Sequence, residues 1–253
     1  MPNLLLDHLV RYCDRMLSID AMEDWPGACN GLQVANKGKV TAIAAAVDAS
    51  SVTIKKAIDN GADLLIVHHG LFWGKTTPWI GKRYQMIRLL VENNLAVYSV
   101  HLPLDVHPRY GNNICICKAL GFNKLKPFFL EKNHYIGWQT NRKIPLQDLL
   151  LRLESVLHQK PHLLPGGPSI CEKIGVVSGG AGDKLSQAAL EGVDTFITGE
   201  GPHWTYALAE DFGINVIYGG HYATETFGIR ALAEHLGKKF HLPWSFIDHP
   251  TGL

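Results

Sequence analysis

The feature that most restricts the fold is a repeat, in which two distant segments of the chain each read as strand, helix, strand. In the first, Val40-Thr41-Ala42-Ile43-Ala44-Ala45-Ala46-Val47 is expected to be a buried strand. Ser50-Ser51 caps a helix that runs to Asn60 and stops at Gly61. Leu64-Leu65-Ile66-Val67 is then a second apolar strand, ending on His68-His69-Gly70. The second copy has Ile174-Gly175-Val176-Val177, a Gly-rich turn, a helix through Ala188-Ala189-Leu190, and Thr195-Phe196-Ile197-Thr198 leading to Gly199-Glu200. Ile43, Gly61 and Asp63 recur at equal spacing as Ile174, Gly192 and Asp194. Strand, helix and strand within about 30 residues make a βαβ unit, and such a crossover joins parallel strands.

Each half continues with another apolar strand leading to a histidine. Ala96-Val97-Tyr98-Ser99-Val100 meets His101, and Asn215-Val216-Ile217-Tyr218-Gly219-Gly220 meets His221. A carboxylate follows each at the same distance, Asp105 after His101 and Glu225 after His221. Two matching features in one order favour internal duplication over a chance likeness of Gly-Ala-Asp-rich segments. The expected fold class is α/β: two pseudo-duplicated lobes, approximately 1–126 and 127–253, making a single unit over 1–253. Residues 127–170 repeat least and hold an expected helix from Leu146 to His158 and a loop from Pro161 to Pro168. A first helix is expected from about Asn3 to Ser18, with Leu6, Leu9, Val10, Cys13 and Leu17 on one stripe. Ligands of open α/β sheets gather outside the carboxyl ends of parallel strands. All of these histidines and carboxylates follow such strands, which are expected to share a sheet edge and aim them into one crevice.

Charge narrows the partners. Lys plus Arg number 24 against 23 for Asp plus Glu, a net charge of +1, so nothing draws the whole chain to phosphate backbones or acidic membranes. No helix carries a dense Arg/Lys stripe, and nucleic acid is not an expected partner. The run Leu4-Leu5-Leu6 meets Asp7 at once, unlike a signal peptide, and no stretch approaches the roughly 18–20 apolar residues of a membrane span. The expected location is cytoplasmic. The five cysteines, Cys13, Cys29, Cys115, Cys117 and Cys171, include no C-x-x-C pair and read as buried free thiols. Cys115 and Cys117, two apart on an expected helix, face different ways.

Neighbouring residues at a strand end point to opposite sides, so His68 and His69 suit two adjacent ions better than one, with Gly70 relaxing the turn beyond. A core histidine beside a surface one is the alternative. His221 and Glu225 share one helix face if a helix begins at Ala223, and Asp105 is either a ligand or the cap of a turn near His107-Pro108. Imidazoles and carboxylates without thiolate suit zinc, manganese, iron or nickel in an open site. Five donors are too many for one tetrahedral ion with an open position. They suit two ions roughly 3.5–4 Å apart sharing a carboxylate. The expected metal ligands are therefore His68, His69, Asp105, His221 and Glu225, with Glu225 as the bridge. His101 is placed at the rim, as a support behind the ligands, a substrate contact or a proton carrier, and is the candidate catalytic residue.

The chain resembles the Nif-three-like family, whose members are commonly labelled GTP cyclohydrolase I type 2 homologues. The resemblance rests on Asn30-Gly31-Leu32-Gln33-Val34, Ala62-Asp63 leading to His68-His69-Gly70-Leu71-Phe72-Trp73, and His101-Leu102-Pro103-Leu104-Asp105. It extends through Tyr110-Gly111-Asn112-Asn113, Thr198-Gly199-Glu200 and Gly220-His221-Tyr222-Ala223-Thr224-Glu225. It implies a Nif-three-like fold of two related α/β lobes with mixed sheets and, at this length, no inserted domain between them, the same five residues as ligands of two divalent ions, and a toroidal homohexamer with the metal sites facing an interior cavity.

The expected function is a metal-dependent hydrolase acting on a nucleotide-like or cyclic amide substrate, the nucleotide coming from the family label. The alternative is a non-catalytic metal-handling or regulatory oligomer. Proton transfer would fall to His101 or Glu200, and Trp73, Tyr222 and Trp204 are aromatic groups that can stack a ring. Gly179-Gly180-Ala181-Gly182-Asp183-Lys184 lacks the Walker spacing and reads as a Gly-rich turn.

Overall fold

The computed structural model describes residues 4–75 and 77–253. In chain order the first elements are β1 (Leu4–Leu5), α1 (Leu6–Leu17), β2 (Gly31–Val34), β3 (Lys39–Val40), β4 (Ile43–Asp48), α2 (Ser51–Asp59) and β5 (Leu64–His69). Next come α3 (Gly81–Glu92), β6 (Ala96–Ser99), α4 (Leu102–Asp105), α5 (Asn112–Ala119), β7 (Lys126–Glu131) and β8 (His134–Pro145). They are followed by α6 (Leu146–Leu157), β9 (His162–Pro165), β10 (Ile170–Val176), α7 (Leu185–Leu190) and β11 (Thr195–Thr198). The last are α8 (Thr205–Phe212), β12 (Asn215–Tyr218), α9 (His221–Phe240) and β13 (Trp244–Phe246).

These elements pack as two compact units, 1–104 with 229–249 and 105–228 with 250–253. The division falls elsewhere than residue 126, where the repeat alone points. One reason is that β13 pairs in parallel with β4, which draws 229–249 into the first unit.

In the first unit the sheet order is β13-β4-β5-β6-β2. β13, β4, β5 and β6 run parallel, and β2 closes the edge antiparallel to β6. β4 and β5 are buried at nearly every position, as a parallel sheet covered on both faces requires. Ile54 and Ala57 of α2 and Leu90 of α3 pack with Ala44, Ala46, Leu65, Val67 and Val97 from the strands. The start of α2 is the expected one: Ser50 Oγ accepts from Thr53 N–H at 3.1 Å, and Thr53 Oγ1 accepts from Ser50 N–H at 2.9 Å.

Two expectations need correction here. The strand expected over Val40–Val47 is broken, because the Thr41 and Ala42 N–H groups and the Thr41 hydroxyl all donate to the Asp63 carboxylate instead of a ladder. Lys39–Val40 pairs separately with Leu4–Leu5, so α1 begins at Leu6 and buries Leu6, Leu9, Cys13 and Leu17. Asn3, expected at its start, lies outside the described residues.

The second unit carries a six-stranded sheet in the order β7-β8-β10-β11-β12-β9. β10, β11 and β12 are parallel, while β8 pairs antiparallel with β10 and β9 antiparallel with β12. Each unit therefore centres on three parallel strands in the order of the sequence repeat, with an antiparallel edge strand beside the third. Both sheets are mixed. The non-repeating stretch supplies the β7–β8 hairpin, β9 and α6, whose Leu146, Leu149, Leu153 and Leu157 pack against Ile144, Ile174, Ile197 and Ile217. The histidine-bearing strands accordingly lie in two sheets rather than along one edge.

Candidate metal centre

In the first unit the strand β5 runs through both histidines, with His69 opposite Asp48 of β4. His101 follows β6, the next parallel strand. These three rings gather at the carboxyl end of the sheet. Their centroids are 4.8 Å apart for His68–His69, 4.9 Å for His68–His101 and 5.6 Å for His69–His101. One ring nitrogen from each lies within 4.8 Å of those from the other two. The expected divergence of His68 and His69 is thus not observed.

Each of these rings is held through Nδ1 by an oxygen. His68 Nδ1 donates to the Val100 carbonyl at 2.9 Å, His69 Nδ1 to Asp48 at 2.8 Å, and His101 Nδ1 to Asp24 at 2.8 Å. A carbonyl or carboxylate only accepts, so the neutral tautomer of each ring carries its proton on Nδ1 and its lone pair on Nε2. That is how proteins orient histidine for a cation. His68 is fully buried and His101 nearly so, at 9% exposure. The Trp73 ring stands edge-on to His101 at 4.8 Å and to His69 at 5.9 Å, and is half exposed. Burial resists charge on Asp24, yet the hydrogen bond and charge of His101, with the Asn30 and Trp25 N–H groups, hold its carboxyl below the usual carboxylate range.

In the second unit His221 opens α9, two residues earlier than Ala223, and this puts His221 and Glu225 in successive turns of one helix. His221 Nε2 lies 3.2 Å from Glu225 Oε1, and Nδ1 donates to Glu200 Oε1 at 2.8 Å. Burial alone would lower the His221 pKa, but the hydrogen bonds and charges of Glu225 and Glu200 outweigh it and push it up to about 9. That field attracts a cation as well as a proton. Glu225 needs the glycine before it in space: Gly179 has φ +70°, and a Cβ there would sit 2.4 Å from Glu225 Oε1. The Gly179 peptide also ties three elements together, its N–H donating to Thr224 Oγ1 and its carbonyl accepting from Gly199 and Glu200. Asp105, the last residue of α4, is buried and accepts from Asn112 Nδ2 at 2.8 Å and from the Ser178 hydroxyl at 3.4 Å.

A family model described as Duf34/NIF3 (NGG1p interacting factor 3) matches residues 4–251. The chain belongs to the DUF34/NIF3 family. The Pyrococcus horikoshii protein named GTP cyclohydrolase 1 type 2 homolog is 41% identical over 251 residues, covering 98% of this chain and 99% of its own. A Deinococcus radiodurans protein of the same name is 40% identical over 249 residues, covering 98% and 94%. The crystal structure of TTHA1606 from Thermus thermophilus superposes with a TM-score of 0.92 at 39% identity, covering 99% of this chain and 100% of that one. Protein ybgI, described as of unknown function, gives 0.91 at 33% identity, covering 99% and 100%. The family and the fold expected from the motifs are both as the sequence indicated.

Among the carboxylates that hold the rings in this DUF34/NIF3 chain, sequence reasoning missed Asp48 and Asp24 and named Glu200 only as a proton carrier. Asp48 precedes His69 by 21 residues and Glu200 precedes His221 by 21. In both cases the carboxylate stands at the end of one parallel strand and the imidazole at the end of the next. A carboxylate one βαβ period before a histidine was therefore a usable signal. Asp24 offers no such signal, standing in the loop before β2 and 77 residues from His101. Glu200 does not cap α8, which starts later at Thr205. Tyr222, named as a stacking candidate, is 7% exposed and presents no face to a ligand, whereas Trp73 and Trp204 do. Cys13, Cys117 and Cys171 are buried free thiols as expected, and burial pushes Cys117 up to about 12, while Cys29 is exposed.

Proposed function

We propose that this chain binds two divalent cations through His68, His69, Asp105, His221 and Glu225, as a cytoplasmic homohexamer. It uses them to hydrolyse a nucleotide-like or cyclic amide substrate. The observation that carries this reading is the fixed tautomer of the donors. Val100 and Asp48 each take a proton from Nδ1 of a proposed ligand and leave Nε2 to the cation, and Glu200 takes the Nδ1 proton of His221, whose Nε2 faces Glu225. The set contains no thiolate, and this suits zinc, manganese, iron or nickel with open positions. When bound, such a pair of ions acidifies water and stabilises negative charge at the attacked centre.

The protein's own part is preorganisation. Asn112 and Ser178 hold Asp105, and Gly179 clears the space in which Glu225 sits. Trp73, half exposed beside His69, offers a flat apolar surface to a planar ring. The nucleotide-like assignment draws support from the printed name of the relatives, GTP cyclohydrolase 1 type 2 homolog.

The test is a turnover screen of nucleotides, phosphoesters and cyclic amides with added Mn²⁺ or Zn²⁺. Turnover that disappears in both His68→Ala and Glu225→Ala is the expected result. Tight, exchangeable metal with no turnover across the panel would instead mark a metal-handling protein, and absence of metal binding would sink both readings.

A further inference from the structure

We propose that a cleft in the second unit, where β9 and β12 meet the first turn of α8, binds a planar heterocycle of nucleobase type. That this heterocycle is part of the substrate rests on the hydrolase reading above, which the cleft deepens by naming the group recognised away from the reacting bond. Four rings line it: His162 at the start of β9, Tyr218 at the end of β12, His203 in the turn before α8, and Tyr206 in its first turn. Leu164 and Thr205, both buried, complete the lining between them. The volume is about 200 Å³, below the roughly 300–1,000 Å³ of sites that enclose drug-sized ligands. There is room for one ring system and not for a whole nucleotide. Unlike the open face of Trp73, the cleft meets a ring from several sides.

Its walls are fixed by the fold. In the β9–β12 ladder His162 stands directly opposite Tyr218, and opposed residues of an antiparallel pair share one face. A Cβ on Gly201 would sit 2.2 Å from the Tyr218 hydroxyl, and one on Gly182 would sit 2.9 Å from its Cε1. Two glycines thus let the phenol lie against backbone. The Thr205 hydroxyl donates to the Pro202 carbonyl at 2.6 Å, so Tyr218, 2.5 Å away, donates to Thr205 and keeps a lone pair to offer.

Recognition follows from what the other side chains leave unused. The His162 and His203 imidazoles and the Tyr206 hydroxyl make no hydrogen bond to another described residue. A neutral imidazole carries one donor and one acceptor, and a nucleobase edge mixes both. Proteins hold unpaired bases by stacking them on such rings and bonding their edges. A saturated apolar ligand would leave the imidazoles unpaired, and phosphate would find no Lys or Arg in the lining. The cleft opens where β11 and β12 end, the edge at which open α/β sheets bind ligands. Gly201 follows Glu200, which holds His221. Tyr218 precedes His221 by three residues, at most about 11 Å of extended chain. A base in the cleft leaves the rest of a nucleoside-sized substrate within reach of His221 and Glu225.

The experiment is a saturation-transfer NMR titration of the full chain with adenosine and inosine. These nucleosides carry no phosphate to bind a metal ion, and ribose is the control without a base. The wild type is compared with Tyr206→Ala and His203→Ala, whose side chains are exposed, so circular dichroism should be unchanged. Metal content is measured on the same wild-type sample. The expected result is saturable binding of at least one nucleoside, none of ribose, and at least a fivefold loss of affinity in each variant, as removal of a stacking ring produces. No saturable binding of either nucleoside, or binding that neither substitution weakens, would overturn the cleft while bound metal leaves the di-metal reading standing. Nucleoside binding without metal would uphold the cleft and sink the di-metal reading instead.

Discussion

Asp24 accepts the His101 Nδ1–H at 2.8 Å and binds the Asn30 amide and the Leu102 N–H through its other oxygen. Replacing it by asparagine removes the charge but keeps the shape. The same change at Asp48, which stands behind the proposed ligand His69, should weaken one metal ion by about 10–100-fold, the usual effect of losing a carboxylate behind a ligating histidine. A competition titration against a chromophoric chelator reads this directly, and unchanged affinity would contradict it. Gly179 is the second residue with a definite penalty on change. At φ +70° a side chain costs about 1–2 kcal/mol in backbone strain alone, and the added Cβ would also displace Glu225. Gly179→Ala should lower stability by at least that amount in urea unfolding, and a variant as stable as the wild type would contradict the geometry. The placement of His68, His69 and His221 at strand ends was legible because each closes an apolar run in a recognisable motif. Asp24 was not, because contact between a loop and a strand end 77 residues away leaves no periodicity to read.

Among the helices and strands, α2 illustrates how a local signal becomes a stable boundary. Ser50 and Thr53 satisfy each other's backbone N–H, so the helix starts where the sequence said it would. Ser50→Ala should cost about 1 kcal/mol, measured by chemical denaturation, and a loss near zero would mean the cap is redundant. The strands were equally legible wherever burial is continuous, as in β5 and β11. The expected Val40–Val47 strand failed for a reason that periodicity does not contain. Asp63 reaches back from the start of the next strand and takes the Thr41 and Ala42 N–H groups. The end of β5 was misplaced by two residues for a similar reason, since pairing of His69 with Asp48 extends the ladder past the apolar run.

Across the full chain, the duplication was visible in the sequence and survives as two mixed sheets with matching parallel centres. The limits of the compact units were not visible, because β13 pairs with β4 across almost the entire chain length. Among the described residues no helix is long and apolar enough to cross a membrane. A cation pair bound only by the folded chain must stabilise it. At a free concentration 100-fold above Kd each ion contributes about 2.7 kcal/mol, which for a chain of this size is roughly 5–10 °C. Chelator should lower the melting temperature by at least that much, with recovery on adding Zn²⁺ or Mn²⁺, and an unchanged melting curve would contradict the reading. The most direct test is an anomalous-difference map from crystals of the metal-loaded protein. The expected result is two peaks roughly 3.5–4 Å apart, bounded by His68, His69, Asp105, His221 and Glu225. A map with no peak among those side chains would contradict it.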